Sequence, residues 1–334
     1  MLGRAESVPK IYDYDRTDFA RYWPIRTARL VTVGMSVLTI FFLYLAGRES
    51  TGRAETGYLA ASLVAFLPQF SFRGSQVSND ALVATMAAVS LYALVRIVRR
   101  GFTPLIGLLA GGAIAGAYLT KINAIFLPVP LGLTLLTEKC AWRQHLLRVM
   151  GLASLMLALV LPWTVRNIAL YGDPFAKNVM HQVVSGLLAE KSLTSPYFYT
   201  VFPSQLSKSF VGMFGWMNLW LPLRIYLLYA LIGLLAGSGL LWGWMQHRIE
   251  RRLIVILASM PLLNLLIVIY INLSFSQPQG RFMFPALPAI GLLAALGLEN
   301  LPRWGRSVQI AFIVGLAAIN VFILTFWLIP AYWS

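Results

Sequence analysis

The sequence predicts an all-α, polytopic transmembrane helix bundle of about ten spans. Three observations carry that prediction: a composition that is 58% hydrophobic and only 12% charged, apolar segments of helix-spanning length along most of the chain, and basic residues placed between those segments. A mean hydropathy of +0.72 leaves too few polar groups to cover a soluble globule of 334 residues, so the bilayer must act as the solvent. In lipid only a helix satisfies its own backbone hydrogen bonds, and about 20 mostly apolar residues are needed to cross.

Taken in chain order, residues 1–27 form an outer tail. They carry Asp13, Asp15, Asp18, Arg16, Arg21 and Arg26 and no apolar core, which excludes a cleavable signal peptide. A transmembrane domain over 28–329 follows, with spans expected at 28–46, 57–72, 80–98, 103–119, 123–137, 147–165, 223–245, 253–273, 283–298 and 308–329. Spans 103–119 and 123–137 form a tight hairpin. Pro68, Pro128, Pro130, Pro162, Pro285 and Pro288 imply bent or broken helices. The single cysteine, Cys140, excludes an internal disulfide and a multi-cysteine metal site.

A net charge of +15 would suit nucleic acid, but the charges do not form a groove. Alternate short loops hold thirteen Lys or Arg residues, and the opposite short loops hold only Arg73, Lys121 and Arg281. That bias sets the basic side inside, removes nucleic acid as a partner and leaves anionic membrane lipid as one. Both termini and the one long loop, 166–222, then face outside. Within that loop, Phe175 to Glu190 has the apolar spacing of a short amphipathic surface helix. An aromatic run from Tyr197 to Trp220 suits either the headgroup layer or a substrate platform.

The few ionisable residues at the outer face are the candidates for chemistry. Asp80, in Ser78-Asn79-Asp80, opens a span and reads either as a helix cap or as a general base in an outward cavity. Lys121 sits at the hairpin tip, as a snorkelling lysine or a candidate for chemistry. Arg281, in Gln279-Gly280-Arg281-Phe282, lies beside an outward helix N-terminus suited to phosphate. Arg166 and Asn167 end a span at the same face. Asp173, before Pro174, reads as a turn residue. His145, His181 and His247 share no face, so no metal cluster is expected, and no Gly-rich phosphate motif with a Lys is present.

Leu67-Pro68-Gln69-Phe70, Val77-Ser78-Asn79-Asp80-Ala81-Leu82, Leu119-Thr120-Lys121, Phe214-Gly215-Trp216-Met217-Asn218 and Gln279-Gly280-Arg281-Phe282, in this order, resemble polytopic glycosyltransferases of the GT-C fold. The similar branch is the family 39-like, lipid-carrier-dependent enzymes, relatives of protein O-mannosyltransferases and of the aminoarabinose transferase. The resemblance implies inverting hexosyl or pentosyl transfer at the outer (periplasmic or extracellular) face of a bacterial cytoplasmic membrane. The donor would be a polyprenyl-phosphate-linked sugar and the acceptor an envelope glycan, lipid or protein. Lys121 and Arg281 would hold the lipid phosphate with Gln279, Arg166 and Asn79 near the substrate, Asp80 would serve catalysis, and Asp173, Trp216 and Asn218 would be outer-loop contacts. No cofactor is implied, a divalent cation being left open. Such enzymes open with an inside-starting span and a first outer loop bearing the main catalytic carboxylate. The expectation is therefore that one span and most of that loop are missing from this sequence, with Asp13, Asp15 and Asp18 as a remnant. The alternatives are a lipid or solute transporter, and an inactive truncated relative. A transporter would place charges near the bilayer midplane, and these lie at one end.

Overall fold

A computed structural model describes residues 19–183, 188 and 190–333 of the chain. Asp13, Asp15 and Asp18 lie outside the described residues, as does the side chain of His181. Helix α1 (Phe19–Thr51) begins before residue 28, inside the stretch expected as an outer tail. The chain turns back at Gly52 into α2 (Ala54–Ala65) and α3 (Pro68–Gly74). Pro68 has no N–H to continue α2 and instead starts α3 at its first turn, so the expected span 57–72 is broken in two.

Next come α4 (Asn79–Arg100), α5 (Pro104–Thr120), a 3-10 turn (Ile122–Phe126), α6 (Pro128–Leu136) and α7 (Trp142–Tyr171). The expected outer loop is largely ordered: α8 (Lys177–Val183) and α9 (Tyr197–Gly212) precede a two-stranded antiparallel hairpin of β1 (Met213–Phe214) and β2 (Leu219–Trp220). Of the amphipathic helix expected over 175–190, only Lys177–Val183 is helical among the described residues; Phe175 and Ala176 precede it as a turn, and Leu188 instead forms an antiparallel bridge with Phe275. The chain then forms α10 (Leu223–Met245), α11 (Arg251–Ser274), a 3-10 segment (Gly280–Ala286), α12 (Leu287–Glu299), α13 (Arg306–Phe322) with a π-helical continuation to Leu328, and α14 (Ile329–Trp333).

Among the described residues, seven helices are long and apolar enough to cross a membrane. The expected spans 57–72, 103–119 and 123–137 are shorter or broken, so length and composition alone do not reach ten. Small residues decide which spans are central. Helix α4, with Ala81, Ala84, Ala87, Ala88 and Ala93 all buried, packs against α1 and α5. Helix α12 sits against α10 and α2 so closely that a Cβ on Gly297 would enter the Ala236 carbonyl of α10. Without a hydrophobic force between helices in lipid, such close backbone approach is what drives their association. Helices α7 and α10 instead expose Leu157, Leu161, Leu231 and Leu234 to the surroundings, as lipid-facing helices do.

Ion pairs gather at one end of the bundle. Arg96 and Arg100 pair with Glu49, Arg99 with Glu250 at 3.1 Å, and Arg148 with Glu138, tying the ends of α1, α4, α6, α7 and α11 together. At this basic end Glu299 accepts a hydrogen bond from Thr56 Oγ1 at 2.7 Å. Arg73, Asp80, Lys121 and Arg281 lie at the opposite end.

Candidate functional site: a buried carboxylate among three cations

The start of α4 lacks the side-chain cap that its sequence suggests. Ser78 occupies the N-cap position with extended backbone but makes no capping bond. Asn79 Nδ2 instead donates to the Thr120 carbonyl at 3.1 Å, which fixes the start of α4 against the end of α5. That contact brings Lys121, the first residue beyond α5, to Asp80.

Asp80 is 1% exposed and meets three cations. Lys121 Nζ donates to Oδ1 at 2.7 Å, and Arg73 Nε and Arg281 Nη1 lie 3.7 and 3.9 Å from Oδ2. Asp80 therefore neither caps its helix nor stands open to solvent. Lys121, far from snorkelling, also lies 4.7 Å from the centroid of the Phe282 ring. Burial lowers the pKa of the Lys121 ammonium, which sits on the hairpin tip outside the spans, while Asp80 opposes the shift. Burial also lowers that of Arg73, reinforced by the neighbouring Arg281 charge and opposed by Asp80. One carboxylate cannot neutralise three cations, so the cluster keeps two positive charges. Arg73 Nε, Arg281 Nε and Asp80 Oδ2 are buried without a hydrogen-bond partner, leaving unused donors on both guanidinium groups.

The cluster borders a polar cavity of about 600 Å³. Gln69, Arg73, Ser209, Gln279 and Arg281 line it, with Trp216 and Met217 of the β-hairpin at its rim. Trp216 is 81% exposed. The hairpin is secured by Trp220 Nε1, which donates to the Met217 carbonyl at 3.0 Å, and by Trp327 Nε1, which donates to the Trp220 carbonyl at 3.0 Å. Helix α9 borders this cavity through Ser209, and through Phe202, Leu206 and Phe210 it also walls an apolar groove of about 1000 Å³ shared with α10 and α11.

Among the residues singled out from sequence, the structure gathers Asp80, Lys121, Arg281 and Gln279 at one place, with Asn79 supporting and Trp216 at the edge. Asn218 is an exposed hairpin residue beside Gly215 rather than a lining residue. Arg166 is exposed on α7 and stacks on Trp163 of its own helix, 5.0 Å from the ring centroid. Since α7 packs on α5 and α6, Arg166 is not brought to the cluster. Asp173 Oδ1 accepts from Phe175 N and Lys177 N, the turn expected of it. Sequence reasoning missed Arg73 as a site residue. The signal was present, because Arg73, Lys121 and Arg281 are the three basic residues of the sparse loops. Among the described residues no three His, Cys, Asp or Glu side chains are grouped as a metal site would need.

A bundle of this kind, with a cation cluster and a polar cavity at one end beside an apolar groove, defines a multi-pass membrane protein of the GT-C fold. Residues 22–165 match the family model of dolichyl-phosphate-mannose-protein mannosyltransferases. Across 89% of this chain and 50% of the other, the fold is similar to that of ArnT from Cupriavidus metallidurans bound to undecaprenyl phosphate, at 19% identity and a TM-score of 0.55. A fainter likeness, with a TM-score of 0.45 and 15% identity, covers 92% of this chain and 44% of the archaeal oligosaccharyltransferase AglB from Archaeoglobus fulgidus in complex with an inhibitory peptide and a dolichol-phosphate. No curated protein matches by sequence. The chain thus spans about half the length of the ArnT structure it matches.

Proposed function

We propose that the protein is a membrane glycosyltransferase that moves a sugar from a polyprenyl-phosphate donor to an acceptor at the membrane face bearing the Asp80 cluster. The observation that carries this reading is the convergence of Arg73, Lys121 and Arg281, remote in sequence, on one buried carboxylate beside a polar cavity and an apolar groove. A phosphate on a long apolar chain has the two chemistries this arrangement serves. That ArnT, which shares the fold, was crystallised with undecaprenyl phosphate supports the same ligand class here.

In such a transfer the bond from anomeric carbon to phosphate oxygen breaks as the acceptor hydroxyl attacks from the opposite side, which inverts the centre. The leaving lipid phosphate gains negative charge, and preorganised cations aimed at it lower the barrier. Arg73 and Arg281, with donors to spare, meet the phosphate. Asp80 holds them and Lys121 in register. Its two oxygens face those cations rather than an incoming acceptor, so the general-base role suggested by the sequence is not assigned to it. Trp216 offers an aromatic face at the cavity rim to the sugar or the acceptor. The positive-inside bias supports the cluster facing outward from a bacterial cytoplasmic membrane.

The test is binding and transfer by the full chain in nanodiscs. The protein should bind undecaprenyl phosphate, lose that binding on Arg281→Ala, and release polyprenyl phosphate from at least one labelled sugar donor of a hexose and pentose panel. Failure to bind undecaprenyl phosphate above the level of undecaprenol would refute the proposal.

A further inference from the structure

The two residues on either side of Arg281 have their backbone held by buried side chains from three other segments. Before it, Gly280 N donates to Ser209 Oγ of α9 at 2.7 Å. After it, the Phe282 carbonyl accepts from Asn123 Nδ2 of the 3-10 turn at 2.6 Å and from Asn264 Nδ2 of α11 at 3.1 Å. Ser209, Asn123 and Asn264 are 2%, 1% and 0% exposed. Gly280 itself lies so close to α9 that a Cβ there would run into the backbone of Phe210.

These contacts are poorly explained as stabilisers. The Oδ1 atoms of Asn123 and Asn264 are buried without a hydrogen-bond partner. Each such orphaned acceptor costs more than a typical neutral hydrogen bond returns. The Phe282 carbonyl, whose 3-10 partner would be the N–H that Pro285 lacks, needs one donor, and it is given two. What the two amides and the hydroxyl achieve is geometric: they fix the backbone at Gly280 and at Phe282, the two neighbours of one residue, and that residue carries a guanidinium that lines the cavity.

We infer that Ser209, Asn123 and Asn264 are positioning residues that set the direction of Arg281 toward a bound phosphate. The inference rests on the reading that Arg281 meets the lipid phosphate. Asn123 and Asn264 do not line the cavity, and Ser209, which does, has its hydroxyl engaged by Gly280 N; each acts through the backbone on either side of Arg281. A guanidinium forms paired hydrogen bonds only when its plane is aligned with the phosphate oxygens, so a rotation of the segment weakens binding without removing any charge.

The test is a double-mutant cycle on the full chain in nanodiscs, with undecaprenyl phosphate as probe and undecaprenol as the uncharged control. Ser209→Ala, which deletes one oxygen, and Asn264→Leu, which replaces the amide by an apolar group of like size, should each weaken undecaprenyl phosphate binding about tenfold. Undecaprenol binding should not change. In an Arg281→Ala background the same substitutions should have almost no further effect, which a general loss of packing would not reproduce. Equal losses in both backgrounds, or no loss in either, would overturn the positioning role alone. If Arg281→Ala itself leaves undecaprenyl phosphate binding intact, the phosphate reading falls and this inference with it.

Discussion

Replacing Asp80 with asparagine keeps the shape of the side chain and removes the anion that Lys121, Arg73 and Arg281 share, at 2.7, 3.7 and 3.9 Å. At about 4 Å and an effective dielectric constant of about 20, each attraction is worth about 4 kcal/mol before desolvation is subtracted. Burying the charges offsets most of that sum, and deleting one partner of a buried pair destabilises by about 3–5 kcal/mol. The Arg281 and Arg73 side chains retain 30% and 19% exposure, so water screens part of the repulsion left behind. The low end, about 3 kcal/mol, is therefore expected. At about 2 °C per kcal/mol for a chain of this size, Asp80→Asn should lower the Tm by about 6 °C, read by thermal denaturation of the purified protein in detergent. Undecaprenyl phosphate should then raise the Tm of the variant more than that of the parent, because its phosphate supplies the missing negative charge. A variant as heat-stable as the parent, or one stabilised no more than the parent by the lipid phosphate, would refute the view of Asp80 as the counter-ion of a phosphate site.

Other outcomes follow from the same geometry. Arg73→Ala should weaken undecaprenyl phosphate binding about tenfold, the value of a charge-assisted hydrogen bond, and leave undecaprenol binding unchanged; equal loss for both ligands would point to a packing defect instead. Gly297→Ala should lower the Tm, because its Cβ would enter the Ala236 carbonyl of α10 and force α12 outward, and an unchanged Tm would contradict that contact. Trp216→Ala should leave the Tm unchanged, since the indole is 81% exposed, yet reduce transfer measured with a labelled donor. For orientation, Cys140 in whole cells should resist a membrane-impermeant maleimide, whereas Ser75→Cys in a Cys140→Ser background should react; the reverse pattern would invert the proposed topology.

Much of this architecture is legible in composition and spacing. The apolar segments mark where helices run, because the bilayer admits few alternatives for the backbone. The positions of Arg and Lys between them foretell the two unlike ends, and the span expected over 80–98 emerges as α4 within a residue or two. Helix breaks are less readable. Pro68 splits a stretch that hydropathy shows as continuous, and α1 extends through Arg26 and Arg29 because a helix end can carry charge into the headgroup layer.

By itself, the sequence determined that this chain is a membrane protein, how its short-loop charges divide, and that Arg73, Lys121 and Arg281 are the basic residues of the sparser set of short loops. It also marked Asp80 and Arg281 as candidates, through residue type beside predicted helix ends. Only the tertiary structure decided that the three cations meet at Asp80, that Arg166 does not join them, and that Ser209, Asn123 and Asn264 hold the backbone on either side of Arg281. The physical reason is that hydropathy and charge act locally and so are written along the chain. Which helix ends become neighbours depends instead on how small side chains let helices approach, and that is a property of packed pairs rather than of any one segment.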